Sequence, residues 1–315
     1  MKTIKNSIII FFTCLGIMSC NKVEVETPVF DVKVDSLTYK VGDEVEFKFT
    51  GDADQITFYS GEPLNDYTYK DGRIEEVLSI NASFSTAIRY GLANGQKDML
   101  SVWISSDFNG NYTIEDIQNA TWKNNVSKNF VLAPSTMDNS DAANYVPSGV
   151  LDITSEAEEG KPMYFAFKYR KDDPTKTQRN WFMRNIVVNA VTNLGNYSLF
   201  DGSAFKEVYD NNFVTDVERN SSVTSGGVIT LRSPSTFDTR PLVEVWAISP
   251  PISTEDTNLG PDKGTPIKGF RDLKKDSHSY TYIKEGVYTA TFVASNSNLY
   301  GESKVVKQIT ITVTQ

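Results

Sequence analysis

Histidine and cysteine are almost missing from this sequence. One histidine, His278, and two cysteines, Cys14 and Cys20, occur in 315 residues. A zinc site that needs several His or Cys ligands cannot be assembled from them. Beyond residue 20 there is no thiol to serve as a nucleophile, and His278 opens an alternating strand, where we read it as structural rather than as a catalytic base. Basic residues are also in deficit, with 31 Lys and Arg against 40 Asp and Glu, a net charge of −9. That excludes the basic patch which a nucleic acid or an anionic membrane surface requires, so neither is expected as a partner. The longest apolar run, Ile8 to Ile17, is too short for a comfortable transmembrane helix. No segment carries a convincing amphipathic helical pattern, and Ile114 to Ile117 predicts one helical turn at most.

What is present begins with a leader. Lys2 and Lys5 precede the apolar run, which makes residues 1–19 a signal peptide. It ends in Ile17-Met18-Ser19-Cys20, which resembles a bacterial lipobox and implies lipidation of Cys20. Once the leader is removed no second cysteine is left, so no disulfide is expected in the exported protein. Acyl chains on Cys20 would anchor it firmly to a membrane, by lipid alone. The expected location is the outer membrane, facing the cell exterior, with residues 20–27 as a polar tether.

From Pro28 onward the period is two, the signature of half-buried strands. Phe30-Asp31-Val32-Lys33-Val34, Glu44 to Phe49 and Ile56 to Tyr59 alternate near the start. Ser277 to Tyr282, Gly286 to Val293 and Lys307 to Val313 alternate at the end. His278-x-Tyr280 followed by Gly286-x-Tyr288-x-x-x-Phe292 resembles the closing half of a polycystic-kidney-disease (PKD) domain, an immunoglobulin-like sandwich. The opening half resembles the strands near residue 30, although Tyr59-Ser60-Gly61-Glu62 lacks that family's Trp-Asp turn. The expectation is an all-β protein with one split immunoglobulin/PKD-like sandwich, residues 28–70 and 251–315. A larger jelly-roll-like β-sandwich, residues 71–250, lies between the halves. Modules arranged in series are the alternative. Strands of the middle part include Met99 to Ser105, Trp181 to Val188 and Leu242 to Ile248. Met163 to Arg170, apolar on both faces, reads as a central strand.

A second resemblance covers most of the chain beyond the leader. Phe58-Tyr59-Ser60-Gly61-Glu62, Ser105-Ser106-Asp107-Phe108, Ala120-Thr121-Trp122, Val150-Leu151-Asp152-Ile153 and Pro162 to Tyr169 occur in that order. Together they are similar to the Bacteroidota lipoprotein family known as domain of unknown function 5017. The resemblance implies a surface lipoprotein associated with an outer-membrane glycan-uptake system, with a transporter complex as partner. It implies no catalytic residues.

Three chemistries compete for the remaining motifs. Asp107-Phe108-Asn109-Gly110-Asn111 alternates oxygen ligands as a calcium loop does, but Tyr112 and Gln118 stand where an EF-hand needs Gly and Glu. Calcium at Asp107, Asn109 and Asn111 is one expectation; a polar Asn-Gly turn is the plainer one. Carboxylate pairs for glycoside hydrolysis abound, as at Glu156-Ala157-Glu158-Glu159 and Asp172-Asp173, but none is singled out, and no catalytic residue is assigned. Carbohydrate binding needs an aromatic face with amide or carboxylate partners. Trp103 alternates with serines, Trp246 lies opposite Val243, Val245 and Ala247, and Trp181 stands beside Asn180 at a loop mouth. Trp103, Trp181, Trp246 and Asn180 are therefore the expected oligo- or polysaccharide platform, with Trp122 a core residue. Two readings of function result: a non-catalytic glycan-binding surface protein, or a structural or adhesive protein that binds a protein partner. A carbohydrate-active enzyme ranks third.

Overall fold

The computed structural model describes residues 24–210, 220–232 and 243–315. The segment expected to be a signal peptide, residues 1–19, and Cys20 lie outside the described residues. In chain order the opening strands are β1 (Val29–Lys33), β2 (Thr38–Lys40), β3 (Glu44–Asp52) and β4 (Gln55–Tyr59). Then come β5 (Arg73–Glu75), β6 (Val77–Arg89), β7 (Leu100–Ser105), β8 (Val146–Asp152), β9 (Tyr164–Lys171) and β10 (Asn180–Thr192). They are followed by β11 (Gly195–Asp201), β12 (Lys206–Tyr209), β13 (Ser222–Val223), β14 (Ile229–Leu231), β15 (Val243–Ile248) and β16 (Thr257–Gly260). The closing strands are β17 (Thr265–Lys268), β18 (Ser277–Thr281), β19 (Gly286–Asn298) and β20 (Gly301–Thr314). Helix is confined to short turns, of which α1 (Ile114–Asn119) is the one α-helix among the described residues. The protein is all-β.

The chain divides into two units. One is built from both ends, the described part of Met1–Arg73 with Gly260–Gln315; the other is Ile74–Leu259. The chain passes from one to the other at β5 and β16, which pair as a two-stranded ribbon.

The end-built unit has a three-stranded sheet, β1-β3-β18, and a five-stranded one, β17-β4-β19-β20-β2. Alternation decides which side chains fill it. In β3, Val45, Phe47 and Phe49 are buried while Glu44, Glu46 and Lys48 face out. Phe47 meets Phe58 of β4 and Phe292 of β19 at ring separations of 5.7 and 5.0 Å, tilted contacts that pack well in a sheet-on-sheet core. His278 belongs to this packing: its ring stands edge-on to Phe58 at 4.7 Å, and its Nε2 is buried without a hydrogen-bond partner. The Tyr288 hydroxyl donates to the carbonyl of Lys284 at 2.9 Å, so the corner into β19 is tied to its own strand. Tyr282 donates to the Ser60 carbonyl at 2.8 Å. There Gly61 has φ +84°, and a Cβ would come within 2.6 Å of the Thr289 nitrogen. Only glycine fits so close an approach.

The middle unit is a sandwich of two antiparallel sheets. One runs β13-β14-β10-β6-β8, with β11 also on β10; the other runs β12-β15-β9-β7. Phe165, Phe167 and Tyr169 of β9 fill the space between them with Phe84, Met183 and Val188. The alternate residues of β9, Tyr164 and Ala166, are buried as well, because residues 106–122 fold over the outer face of that sheet. β9 is therefore a central strand covered on both sides, which explains its unbroken apolar run.

Candidate functional site

The residues expected to form the saccharide platform lie mostly inside. Trp181 is 5% exposed and packs in the core of the middle unit, so it offers no platform. The loop mouth where it was expected is the start of β10, whose inward face it shares with Met183; further along, β10 has a bulge. Its register against β6 shifts between Arg184 and Val187, where Asn185 takes a left-handed φ of 51°. Before the bulge Trp181 and Met183 point inward; after it Ile186, Val188 and Ala190 do. One period-two reading of the whole segment must therefore misplace one half. Asn180 is likewise buried, its Oδ1 accepting from Gln178 Nε2 at 3.0 Å.

Trp246 does face the outer side of its sheet, but that side is covered. It is 4% exposed, in a satellite cluster with Phe108, Ile117, Tyr164 and Ile248. Trp122 lies against it at 5.0 Å. Trp103 is the half-buried member of the set. Its Nε1 donates to Ser101 Oγ at 2.7 Å, and its ring lies 5.9 Å from that of Trp246. The Lys168 ammonium sits over both rings, at 5.3 and 4.7 Å. Glu244 accepts from Trp246 Nε1 at 2.9 Å and pairs with Lys168 and Arg170, each at 3.1 Å. These ionic groups satisfy one another, so the face is a closed structural network with Trp103 at its margin.

The Asp107 loop is also closed on itself. Asp107 Oδ1 accepts from the Thr121 amide at 2.7 Å and from Ser105 Oγ at 2.8 Å. Hydrogen bonds of this kind hold its carboxyl below the ordinary range against the upward push of burial. The Asn109 amide donates to Asp116, while its Oδ1 accepts from the Asn111 amide at 2.9 Å. Asp116 in turn exchanges hydrogen bonds with Thr113, the N-cap of α1. Asp107 and Asn109, expected as calcium ligands with Asn111, thus have their side-chain oxygens engaged in hydrogen bonds within the loop. Among the described residues no group of three or more His, Cys, Asp or Glu could hold a metal ion.

A different site emerges where three loops of the middle unit meet. Arg179, 3% exposed, stands at their centre. Its Nε donates to the Tyr90 carbonyl at 3.1 Å, Nη1 to the Ser135 carbonyl at 2.5 Å, and Nη2 to the Met137 carbonyl. Asp138 lies 3.6 Å away. Burial pushes the Arg179 pKa down and Asp138 opposes it, but a guanidinium so placed keeps its charge. Residues 91–97 are zipped to residues 172–177: the Thr177 amide donates to the Asn94 carbonyl at 2.8 Å and the Gln96 amide to the Thr177 carbonyl at 2.9 Å. Gln96 Oε1 accepts from the amides of Asp172 and Asp173, both at 2.9 Å. Gly95 is required here, since a Cβ would fall 2.3 Å from Arg179 Cδ.

This clamp fixes an unusual backbone. Tyr90 and Gly91 are both left-handed, with φ 68° and 69°, and Asp98 follows at 56°. For a residue as large as tyrosine that conformation is strained, and the Arg179 bond to its carbonyl helps hold it. The ring of Tyr90 stays 43% exposed, backed by the Arg89 guanidinium at 4.9 Å. The next residue, Gly91, begins the lining of a cleft of about 470 Å³, which is completed by Leu92, Ala93, Asn94, Asp138 and Thr177. A second cleft of about 530 Å³ shares Leu92, Ala93 and Asn94 and adds Asp172, Asp173 and Lys176. An exposed aromatic, an apolar floor, an amide and carboxylates are what a saccharide ring contacts. Sequence reasoning missed Tyr90 and Arg179, because nothing local links positions so far apart in the chain.

The family described as "Domain of unknown function (DUF5017)" matches residues 19–203, more than half of the 315 residues. No curated protein and no solved structure matches the chain. No helix among the described residues is long and apolar enough to cross a membrane.

Proposed function

We propose, from the premise that this chain belongs to the DUF5017 family, that it is a non-catalytic glycan-binding lipoprotein. It is tethered to the outer membrane by acylated Cys20 and holds saccharide at the cell exterior for a transporter. The observation that supports this reading is Tyr90: a strained, exposed aromatic held by buried Arg179, next in the chain to Gly91 of the cleft lining. Strain is tolerated where the fold over-determines it, and at a binding loop it presents the side chain without an ordering cost. Saccharide would stack on Tyr90 and meet Asn94, Asp138 and Asp172 through its hydroxyls. The likeness of the end-built unit to a PKD domain belongs to the same reading, with that unit as a spacer. In this reading His278, turned into the core, takes no part in chemistry.

The test is gel retardation and calorimetry of the leaderless protein against plant, host and microbial polysaccharides. Retardation by one glycan, weakened at least about tenfold by Tyr90→Ala, is the expected result, since stacking and apolar contact are worth that much. Binding untouched by Tyr90→Ala but lost in Trp103→Ala would return the platform to the outer sheet face. Retention of no glycan at all would favour a protein partner.

A further inference from the structure

The β19–β20 hairpin pairs residue for residue from Gly286↔Val313 to Asn298↔Gly301. It ends in a tight turn, where Asn298 Oδ1 accepts from the Tyr300 amide at 2.8 Å. At that turn Leu299 is 97% exposed and Tyr300 49%. A leucine next to a tyrosine at the end of a long hairpin is the apolar-plus-amphipathic pair that suits a lipid headgroup boundary.

The second observation is where the described chain begins. Asn296 Nδ2 donates to the Glu26 carbonyl at 3.0 Å, and Thr27 Oγ1 lies 3.0 Å from Ser303 Oγ. The amino-terminal segment therefore joins the fold beside the tip of this same hairpin. Three residues of strand separate Asn296 from Leu299, about 10 Å. Six residues separate Cys20 from Glu26, a reach of up to about 20 Å when extended. A lipid anchor on Cys20 can thus bring the tip down to the bilayer without straining the tether. Val29, 81% exposed, lies at the same end, paired with Asp52 two residues before Asp54, whose carboxylate accepts from the Ser297 amide at 3.2 Å.

We propose that the Leu299-Tyr300 turn is a second, non-covalent membrane contact that sets the end-built unit on the lipid surface, hairpin tip down. The inference rests on the reading that Cys20 is lipidated. Acidic Glu24 and Glu26 flank the site, and Glu302 is paired with Lys304 at 3.1 Å, so among the described residues no cationic patch is left over there and the contact is with a zwitterionic surface through apolar insertion.

The experiment uses the full lipidated chain in phosphatidylcholine vesicles, with an environment-sensitive fluorophore on Leu299→Cys. A matching label on Ile283→Cys, 71% exposed and at the opposite end of β19, is the control. We expect blue-shifted emission at position 299, quenched by spin-labelled lipid, and water-like, unquenched emission at 283. Water-like emission from both positions in protein that remains on the vesicles would overturn the tip contact and leave the anchor standing. Membrane association unchanged by Cys20→Ser would overturn the anchor, and the proposal with it. Both labels sit on exposed turns, so loss of fold does not confuse the outcomes.

Discussion

Tyr90 is where a single side chain separates stability from binding. Its left-handed backbone costs on the order of 1–3 kcal/mol, and glycine adopts the same angles freely. Tyr90→Gly is expected to leave thermal unfolding unchanged or raise its midpoint, while glycan retention falls as it does for Tyr90→Ala. Calorimetric unfolding of the two variants checks this; a large loss of stability in the glycine variant would show that the ring is a packing residue. His278 gives the pH counterpart. Burial, with help from the positive charge of Lys275, pushes its pKa below the ordinary 6.5. Above that value the imidazole is neutral both folded and unfolded, and pH has no leverage through it. Below it the unfolded chain takes up the proton first, so stability falls as the pH drops. Asp262 begins to contribute only at more acidic pH, because Arg73, hydrogen-bonded to it, holds its carboxyl below the usual range. Denaturant midpoints measured from pH 7 to about 5.5, a range that crosses the ordinary His value and stays above the carboxylate values, should decline, and His278→Phe should flatten the slope. An equal slope in both would assign the effect elsewhere.

At the scale of the element, alternation made the strands legible and the bulge made their faces illegible. Phe47, Phe49, Ile56, Phe58 and Phe292 could be placed inside from period two alone, because β3, β4 and β19 run through the core without interruption there. β10 could not, since the extra residue near Asn185 changes which parity is buried, and Arg184-Asn185 within an otherwise apolar run can be read as ordinary outward-facing positions. The tryptophans failed for a related reason. Trp246 was assigned to the correct side of its strand, but residues 106–122 cover that side, and covering is a long-range event. Asn185 is nevertheless among the residues best able to adopt a left-handed φ. Asn185→Val should destabilise the middle unit by about 1–2 kcal/mol, and Asn185→Gly should be close to neutral. Urea midpoints decide between this and a register that simply slips. The loop site was legible in neither way: Arg179 reaches carbonyls 89, 44 and 42 residues away, and only the closed fold brings them together.

For the molecule as a whole, the pairing of β3 with β18, and of β4 with β19, has a consequence in time. Residues 29–59 contain half of a sandwich, and every long strand that would cover them is encoded after residue 264. As the chain is synthesised, β3 can pair with β1, but Phe47 and Phe58 lack their packing partner Phe292 until more than two hundred further residues have been added. The middle unit suffers no such delay, because its partners follow one another within Ile74–Leu259. Folding therefore proceeds from the inside of the sequence outward, and the first strands made are among the last to be buried. The charges of Glu44, Glu46 and Lys48, one on every other residue of β3, then act before folding rather than after it. They keep a sticky half-sandwich in solution during the interval before the closing strands arrive to cover it.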